Sequence, residues 1–218
     1  MIAAERAGVG ADPGRVYRGL LVDFGGVLTS DVFASFTAFC RAEGLAPETV
    51  RKRFLGDPAA RGLLEELELG RLREDEFQPR FAKLLGVAPD GLIDRLFGGM
   101  EPDEAMLAAV ESARAAGVRT GLISNSWGEA RYDRGQFSTL FDGVVISGEV
   151  GLRKPDVRIY NMGAEAIELA PEDCVFVDDL PGNLKPARAL GMGTVHHRDA
   201  ACTIAALEAL LGVELRAR

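Results

Sequence analysis

Gly19-Leu20-Leu21-Val22-Asp23-Phe24-Gly25-Gly26 decides the fold: a short apolar run halts at a carboxylate, and two glycines follow. The pattern returns where Gly121-Leu122-Ile123 runs into Ser124-Asn125-Ser126, and where Cys174-Val175-Phe176-Val177 runs into Asp178-Asp179. Short runs of Val, Ile and Leu separated by helical stretches are the mark of buried strands in a parallel sheet. Open parallel sheets bind ligands at the carboxyl ends of their strands, so three polar clusters distant in sequence should meet at one crevice. Asp23, Asp178 and Asp179 would converge there. Like charges at a few ångströms repel unless a cation or a shared proton offsets them, which predicts a hard metal such as Mg2+.

Outward from this stretch, a first strand is expected at about 16–23, and Gly25 and Gly26 let the following loop wrap a ligand closely. From 31 to 102 the character changes. Val32, Phe33, Phe36, Phe39 and Cys40 recur at helical spacing, as do Leu63, Leu64, Leu67 and Leu69, with no strand-like run between them. Beyond residue 102 strands and helices alternate again, with helices at 103–116, 156–169, 183–190 and 200–211 and strands ending near 123, 146, 178 and 196. The organisation predicted is a loose tail at 1–14, an α/β core from 15–30 and 103–218, and a helical cap inserted at 31–102.

Composition narrows the function. The 218 residues are 47% hydrophobic and 27% charged, enough for a sizeable core. The net charge of −8 and the absence of any Lys/Arg-rich run argue against nucleic acid or an anionic membrane as partner. A small molecule is the expected partner, with the protein a monomer or homodimer. Cys40, Cys174 and Cys202 are odd in number and lie among apolar residues, so they read as reduced packing residues of a cytoplasmic protein. No run approaches the roughly 20 apolar residues of a membrane span, and residues 1–15 lack the apolar stretch of a signal peptide.

Four segments in order carry a resemblance: Asp23-Phe24-Gly25-Gly26-Val27-Leu28, then Ile123-Ser124-Asn125-Ser126, then Arg153-Lys154-Pro155, then Val177-Asp178-Asp179 with Asn183. Together they resemble the motifs of the haloacid dehalogenase-like hydrolases, over about 18–211. The stretch 175–192 is most similar to the N-terminal phosphatase domain of soluble epoxide hydrolase and to related bacterial phosphatases. The resemblance implies a Rossmann-like parallel sheet sandwiched by helices, a cap inserted after the first strand, and Mg2+-dependent hydrolysis of a small phosphorylated metabolite through an aspartyl-phosphate.

Asp23, at the end of a strand beside glycine amides, is placed to be the nucleophile. Ser124 and Asn125 offer a hydroxyl, an amide and backbone N–H groups that suit phosphoryl oxygens. Lys154, its approach constrained by Pro155, would offset charge on Asp23 and on the transferring group. By resemblance, Asp23, the Gly25 carbonyl and Asp179 ligate the metal, Asp178 acts through water, and Asn183 stands behind them. Gly25 departs from the family, which usually carries there an aspartate that protonates the leaving group. Loss of such an acid costs about 10^2 to 10^4 in rate for poor leaving groups, so acyl, aryl or sugar-1-phosphates are the expected substrates. Two alternatives stand beside this reading: a 2-haloacid dehalogenase, which needs no metal, and a non-catalytic phosphate-binding or regulatory domain. His196-His197 cannot serve one site together, because adjacent strand residues face opposite ways. Trp127 is a candidate for lining the entrance, and Asp31, Phe33 and Phe36 are candidates for contributing to substrate choice.

Overall fold

The computed structural model describes residues 9–12, 14–128, 132 and 134–215, the side chain of Gln136 excepted. Its centre is a parallel sheet of β1 (Gly19–Val22), β2 (Arg119–Ser124), β3 (Gly143–Ile146), β4 (Cys174–Asp178) and β5 (Gly193–His196), in the order β3-β2-β1-β4-β5. β1 lies between β2 and β4, with Val22 opposite both Leu122 and Val177. The chain moves outward to one side through β2 and β3, then returns to the other side for β4 and β5. That reversal puts the crevice of an open α/β sheet at the ends of β1 and β4.

Alternation along each strand divides the core between two faces. Leu20, Val22, Leu122 and Val175 pack with Met106 and Ala109 of α6 (Glu104–Ala115) and Leu207 of α11 (Ala200–Leu211). Leu21, Ile123 and Phe176 face the other way, against Ile159 and Tyr160 of α9 (Val157–Ala166) and Leu184 of α10 (Pro181–Ala189). Asp103, Asp156 and Asp199 cap α6, α9 and α11 by accepting hydrogen bonds from first-turn backbone N–H groups.

Between β1 and α6 the chain forms α1 (Val32–Ala42), α2 (Thr49–Gly56), α3 (Pro58–Glu68), α4 (Glu74–Leu85) and α5 (Leu92–Phe97). Their inward faces make a separate apolar cluster that includes Phe36, Phe39, Val50, Leu67, Phe77 and Phe81. Ser30 and Glu101 close the insertion at its base: Ser30 N–H donates to the Glu101 carbonyl at 2.8 Å. Asp31 caps α1, accepting from the Phe33 N–H at 2.7 Å.

Several boundaries differ from the sequence expectations. β1 is shorter than 16–23: the Tyr17 N–H donates to the Leu210 carbonyl of α11 at 2.9 Å instead of to a neighbouring strand. α10 starts at Pro181, whose missing N–H costs nothing in a first helical turn. Two short helices, α7 (Arg134–Leu140) and α8 (Ser147–Val150), carry no periodic signal long enough to read. Of the tail expected at 1–14, residues 1–8 and 13 lie outside the described residues, whereas Gly10 is not loose: it pairs with Thr194 of β5 through two backbone hydrogen bonds of 2.9 and 2.8 Å. Cys40 and Cys174 are buried, but Cys202 is exposed in the first turn of α11.

Candidate active site

Asp23 follows β1 directly, and its N–H still donates to the Val177 carbonyl at 2.9 Å, so the carboxylate leaves the sheet beside β4. Asp178 is the last residue of β4 and Asp179 the next. One oxygen from each of the three carboxylates lies within 4.8 Å of the other two. This is the convergence that the strand ends predicted.

Lys154 stands among them. Its Nζ lies 2.7 Å from Asp23 Oδ1 and 2.8 Å from Asp178 Oδ2, and only 1% of the residue is exposed. The Lys154–Pro155 peptide is cis. Burial opposes the charged ammonium, but Asp178 and Asp23 outweigh it and raise the lysine above its usual range. Burial pushes Asp23 up to about 8, Lys154 pulls it down, and Asp178 and Asp179 push it up again. Asp179 rises to about 7 through burial and its neighbour Asp178. Three carboxylates thus share one ammonium. A divalent cation bound by oxygen atoms would relieve that imbalance, and Mg2+ matches this donor set.

The three acids do not have equal access. Asp23 and Asp179 line a cavity at the sheet edge. Asp178 is fully buried behind them, where Asn183 Nδ2 donates to both its oxygens at 3.0 and 3.1 Å and the Leu180 N–H donates to Oδ1 at 2.8 Å. The Asn183 carbonyl in turn accepts from the Tyr160 hydroxyl at 2.8 Å. Asp178 and Asn183 therefore clamp Lys154, and through it Asp23, in one orientation.

Glycine at 26 is dictated by this packing. Its φ is +75°, and a Cβ there would sit 2.8 Å from Asp179 Oδ2. At Gly25 a Cβ would lie 3.1 Å from Val32 Cγ2, so a valine methyl of α1 stands where a side chain at 25 would project.

Ser124 and Asn125 both line the cavity. Ser124 Oγ is 2.9 Å from the Tyr132 hydroxyl, whose ionisation burial pushes up to about 12. The Asn125 carboxamide is committed to the protein: Oδ1 accepts from the Lys154 N–H at 2.8 Å, and Nδ2 faces the Lys154 carbonyl at 3.2 Å and Glu68 Oε2 at 3.3 Å. Its side chain holds the lysine loop in place, which the sequence did not reveal.

Glu68 and Tyr132 were not read as site residues. Glu68 ends α3, lines the cavity, and pairs with Arg153 Nε at 2.5 Å. Burial pushes it up to about 7 against the pull of Arg153. A signal existed: Glu68 lies four residues after Leu64, on the buried stripe of the helix. Tyr132 had none, since a single aromatic in the polar stretch Arg131-Tyr132-Asp133-Arg134 belongs to no motif and no periodic pattern. The two histidines diverge as expected. His196 Nε2 contacts the Asp179 carbonyl at 2.9 Å, and His197 Nδ1 contacts Thr203 Oγ1 at 3.0 Å. Trp127, Phe33 and Phe36 line the cavity, whereas Asp31 is occupied as a helix cap.

A parallel α/β sheet with three carboxylates and a buried lysine gathered at its switch point is the architecture of a Rossmann-like α/β hydrolase. Residues 17–191 match the haloacid dehalogenase-like (HAD) hydrolases, and the chain belongs to that family. It is 31% identical over 131 residues to bifunctional epoxide hydrolase 2 of Sus scrofa, covering 57% of this chain and 24% of the relative. The chain thus spans about a quarter of that protein's length. It is 28% identical over 156 residues to a sesquiterpene phosphatase of Aspergillus oryzae, covering 68% of this chain and 79% of the relative. Among solved structures, a HAD family enzyme of Bacteroides thetaiotaomicron in complex with magnesium and inorganic phosphate superposes with a TM-score of 0.63 at 22% identity, covering 82% and 92% of the two chains. That likeness is one of fold.

Proposed function

We propose that the protein is a Mg2+-dependent phosphatase that hydrolyses a small phosphorylated substrate through a phosphoryl group carried on Asp23. The observation that carries this reading is the Asp23–Lys154–Asp178 chain of contacts, with Asp179 beside it, on the floor of a cavity.

Asp23, the Gly25 carbonyl and Asp179 would hold the metal, with Asp178 held back by Lys154 and Asn183. When bound, Mg2+ supplies positive charge to the phosphoryl oxygens and lets the acids remain ionised together. Lys154 pulls against the burial that raises Asp23, favouring its ionised form, and presents its ammonium to the same oxygens. A carboxylate oxygen of Asp23 forms a bond to phosphorus as the ester P–O bond breaks, and the leaving oxygen departs with the electron pair. Water then attacks phosphorus, the Asp23–phosphorus bond breaks, and the protons of that water pass to phosphate and solvent. Ser124 lies at the strand end where the transferring group would rest. The helices of residues 31–102, taken as a cap over a core of 15–30 and 103–218, shield the site from bulk water.

The valine at the seat of position 25 supports a restriction on chemistry. With no carboxyl there to protonate the leaving group, weakly basic leaving groups are favoured. The acid-rich floor, which calls for a cation, and its lysine favour a charged phosphoryl group over an organic halide, whose displacement needs no metal. Phosphate release from p-nitrophenyl phosphate, with and without Mg2+ and with Asp23→Asn in parallel, tests the reading. Turnover that needs the metal and falls by about 10^3-fold or more in the variant is expected. Turnover of 2-chloropropionate that ignores Mg2+ would instead establish dehalogenation, and phosphate binding without turnover a regulatory domain.

A further inference from the structure

The geometry points to an aryl phosphate monoester, a phosphate carried on an aromatic hydroxyl, as the substrate class of this site. The inference rests on the phosphatase reading above and deepens it. Two independent observations converge on it.

The first is the wall above the reacting atoms. A cavity of about 480 Å3 rises from Asp23, a volume suited to an organic ligand. Val32, Phe33, Phe36, Phe54, Phe97 and Trp127 line it. The rings meet at steep angles: Phe97 and Trp127 centroids are 5.0 Å apart at 77°, and Phe54 and Trp127 are 5.6 Å apart at 81°. Edges and faces arranged this way accept another flat ring by offset or T-shaped contact. Several polar side chains of the wall are already engaged, whereas Glu101, also on the wall, is exposed. Thr29 Oγ1 accepts from the Gly26 N–H, Tyr132 is bonded to Ser124, and Glu68 is paired with Arg153. Arg51 lies with its guanidinium 5.5 Å from the Phe33 ring centroid and pairs with Glu48 at 3.3 Å, both side chains half exposed. The hydroxyls of a sugar would lose water here and find few partners beyond Glu101 and Arg51.

The second is the missing proton donor. Residue 25 is glycine and carries no carboxyl to protonate the leaving oxygen, and a Cβ built there would lie 3.1 Å from Val32 Cγ2. The oxygen that departs must therefore tolerate its negative charge until solvent protonates it. A phenolate does so far better than an alkoxide. Sugar-1-phosphates and acyl phosphates meet the chemical demand but not the apolar wall; long alkyl phosphates meet the wall but not the chemistry. Aryl phosphates meet both.

A four-substrate comparison with the Mg2+-loaded 218-residue chain separates these demands: 2-naphthyl phosphate, glucose 1-phosphate, acetyl phosphate and n-decyl phosphate. The kcat/KM for naphthyl phosphate should exceed those for glucose 1-phosphate and acetyl phosphate by at least about 100-fold. Decyl phosphate should share a low KM but show a kcat at least about 100-fold smaller, as expected without a general acid. Phe54→Ser should lower the naphthyl-to-acetyl ratio of kcat/KM by about tenfold. Equal or better turnover of glucose 1-phosphate or acetyl phosphate overturns the aryl assignment while leaving the phosphatase intact. A decyl kcat equal to the naphthyl kcat also overturns it. No turnover of any of the four removes the phosphatase reading and this inference together.

Discussion

Lys154 shows how much rests on one buried charge. Its ammonium is enclosed by Asp23 and Asp178, and Asp178 has no exposed surface. Lys154→Met would leave that carboxylate buried without its cation, a change that costs about 3–5 kcal/mol when a buried pair loses one member. A denaturant melt should show a loss of that size, along with loss of turnover; a variant as stable as the parent contradicts the assigned clamp. Gly26 is a second such residue. Gly26→Ala forces a left-handed backbone on a residue with a Cβ and drives that Cβ against Asp179 Oδ2. The Mg2+ concentration for half-maximal activity should rise tenfold or more, with Asp179 displaced from its place. Gly25 is the opposite case, because a Cβ there would crowd only a Val32 methyl, at 3.1 Å, and no backbone. Gly25→Asp alone should gain nothing on decyl phosphate, whereas Gly25→Asp with Val32→Ala should raise its kcat by about 10^2-fold if a proton donor is what the site lacks.

At the scale of elements, the end of α3 is fastened to the core at its last residue. The Glu68 carbonyl accepts a hydrogen bond from Ser147 Oγ, and its side chain meets Arg153 and Asn125. Through Asn125 this contact reaches the backbone of Lys154. Burial raises Glu68 from 4.5 to about 7. Between those values the folded chain holds a proton on Glu68 that the unfolded chain has released. Stability owed to this residue is therefore full below about 4.5 and declines as pH rises toward 7. The stability of the parent relative to Glu68→Gln should fall steadily across that window, read from denaturant melts at pH 5 and pH 8; a difference that does not change with pH contradicts the buried setting. Trp127 ties the same elements from the other side. It leaves the core loop after β2 and packs against Phe36, Phe54, Phe77 and Phe97 of the inserted helices.

Across the molecule as a whole, the parallel sheet was legible because its strands are buried on both faces and so read as unbroken apolar runs. The three acids were legible because strand ends in such a sheet have one destination, and Lys154 because of its place in the order of the motifs. What escaped the sequence depends on contacts between distant segments. The partner of Glu68 is Arg153, far along the chain, and the neighbour of Gly25 is a valine across a turn and a helix start. The Asn125 carboxamide looks like a phosphate ligand until the Lys154 backbone is seen to occupy it. Among the described residues no helix is long and apolar enough to cross a membrane. An ion that binds only the folded chain should also stabilise it, by about 2.7 kcal/mol at a hundred times its Kd, and Asp179→Asn should abolish that gain in a thermal melt with and without Mg2+. The most direct measurement is acid quench of the enzyme during turnover of 2-naphthyl phosphate, followed by hydroxylamine treatment and peptide mass spectrometry. A phosphoryl group on Asp23, formed with Mg2+, released by hydroxylamine and absent from Asp23→Asn, is the result expected. Steady turnover with no phosphoryl group on Asp23, or with the group on another residue, contradicts the account.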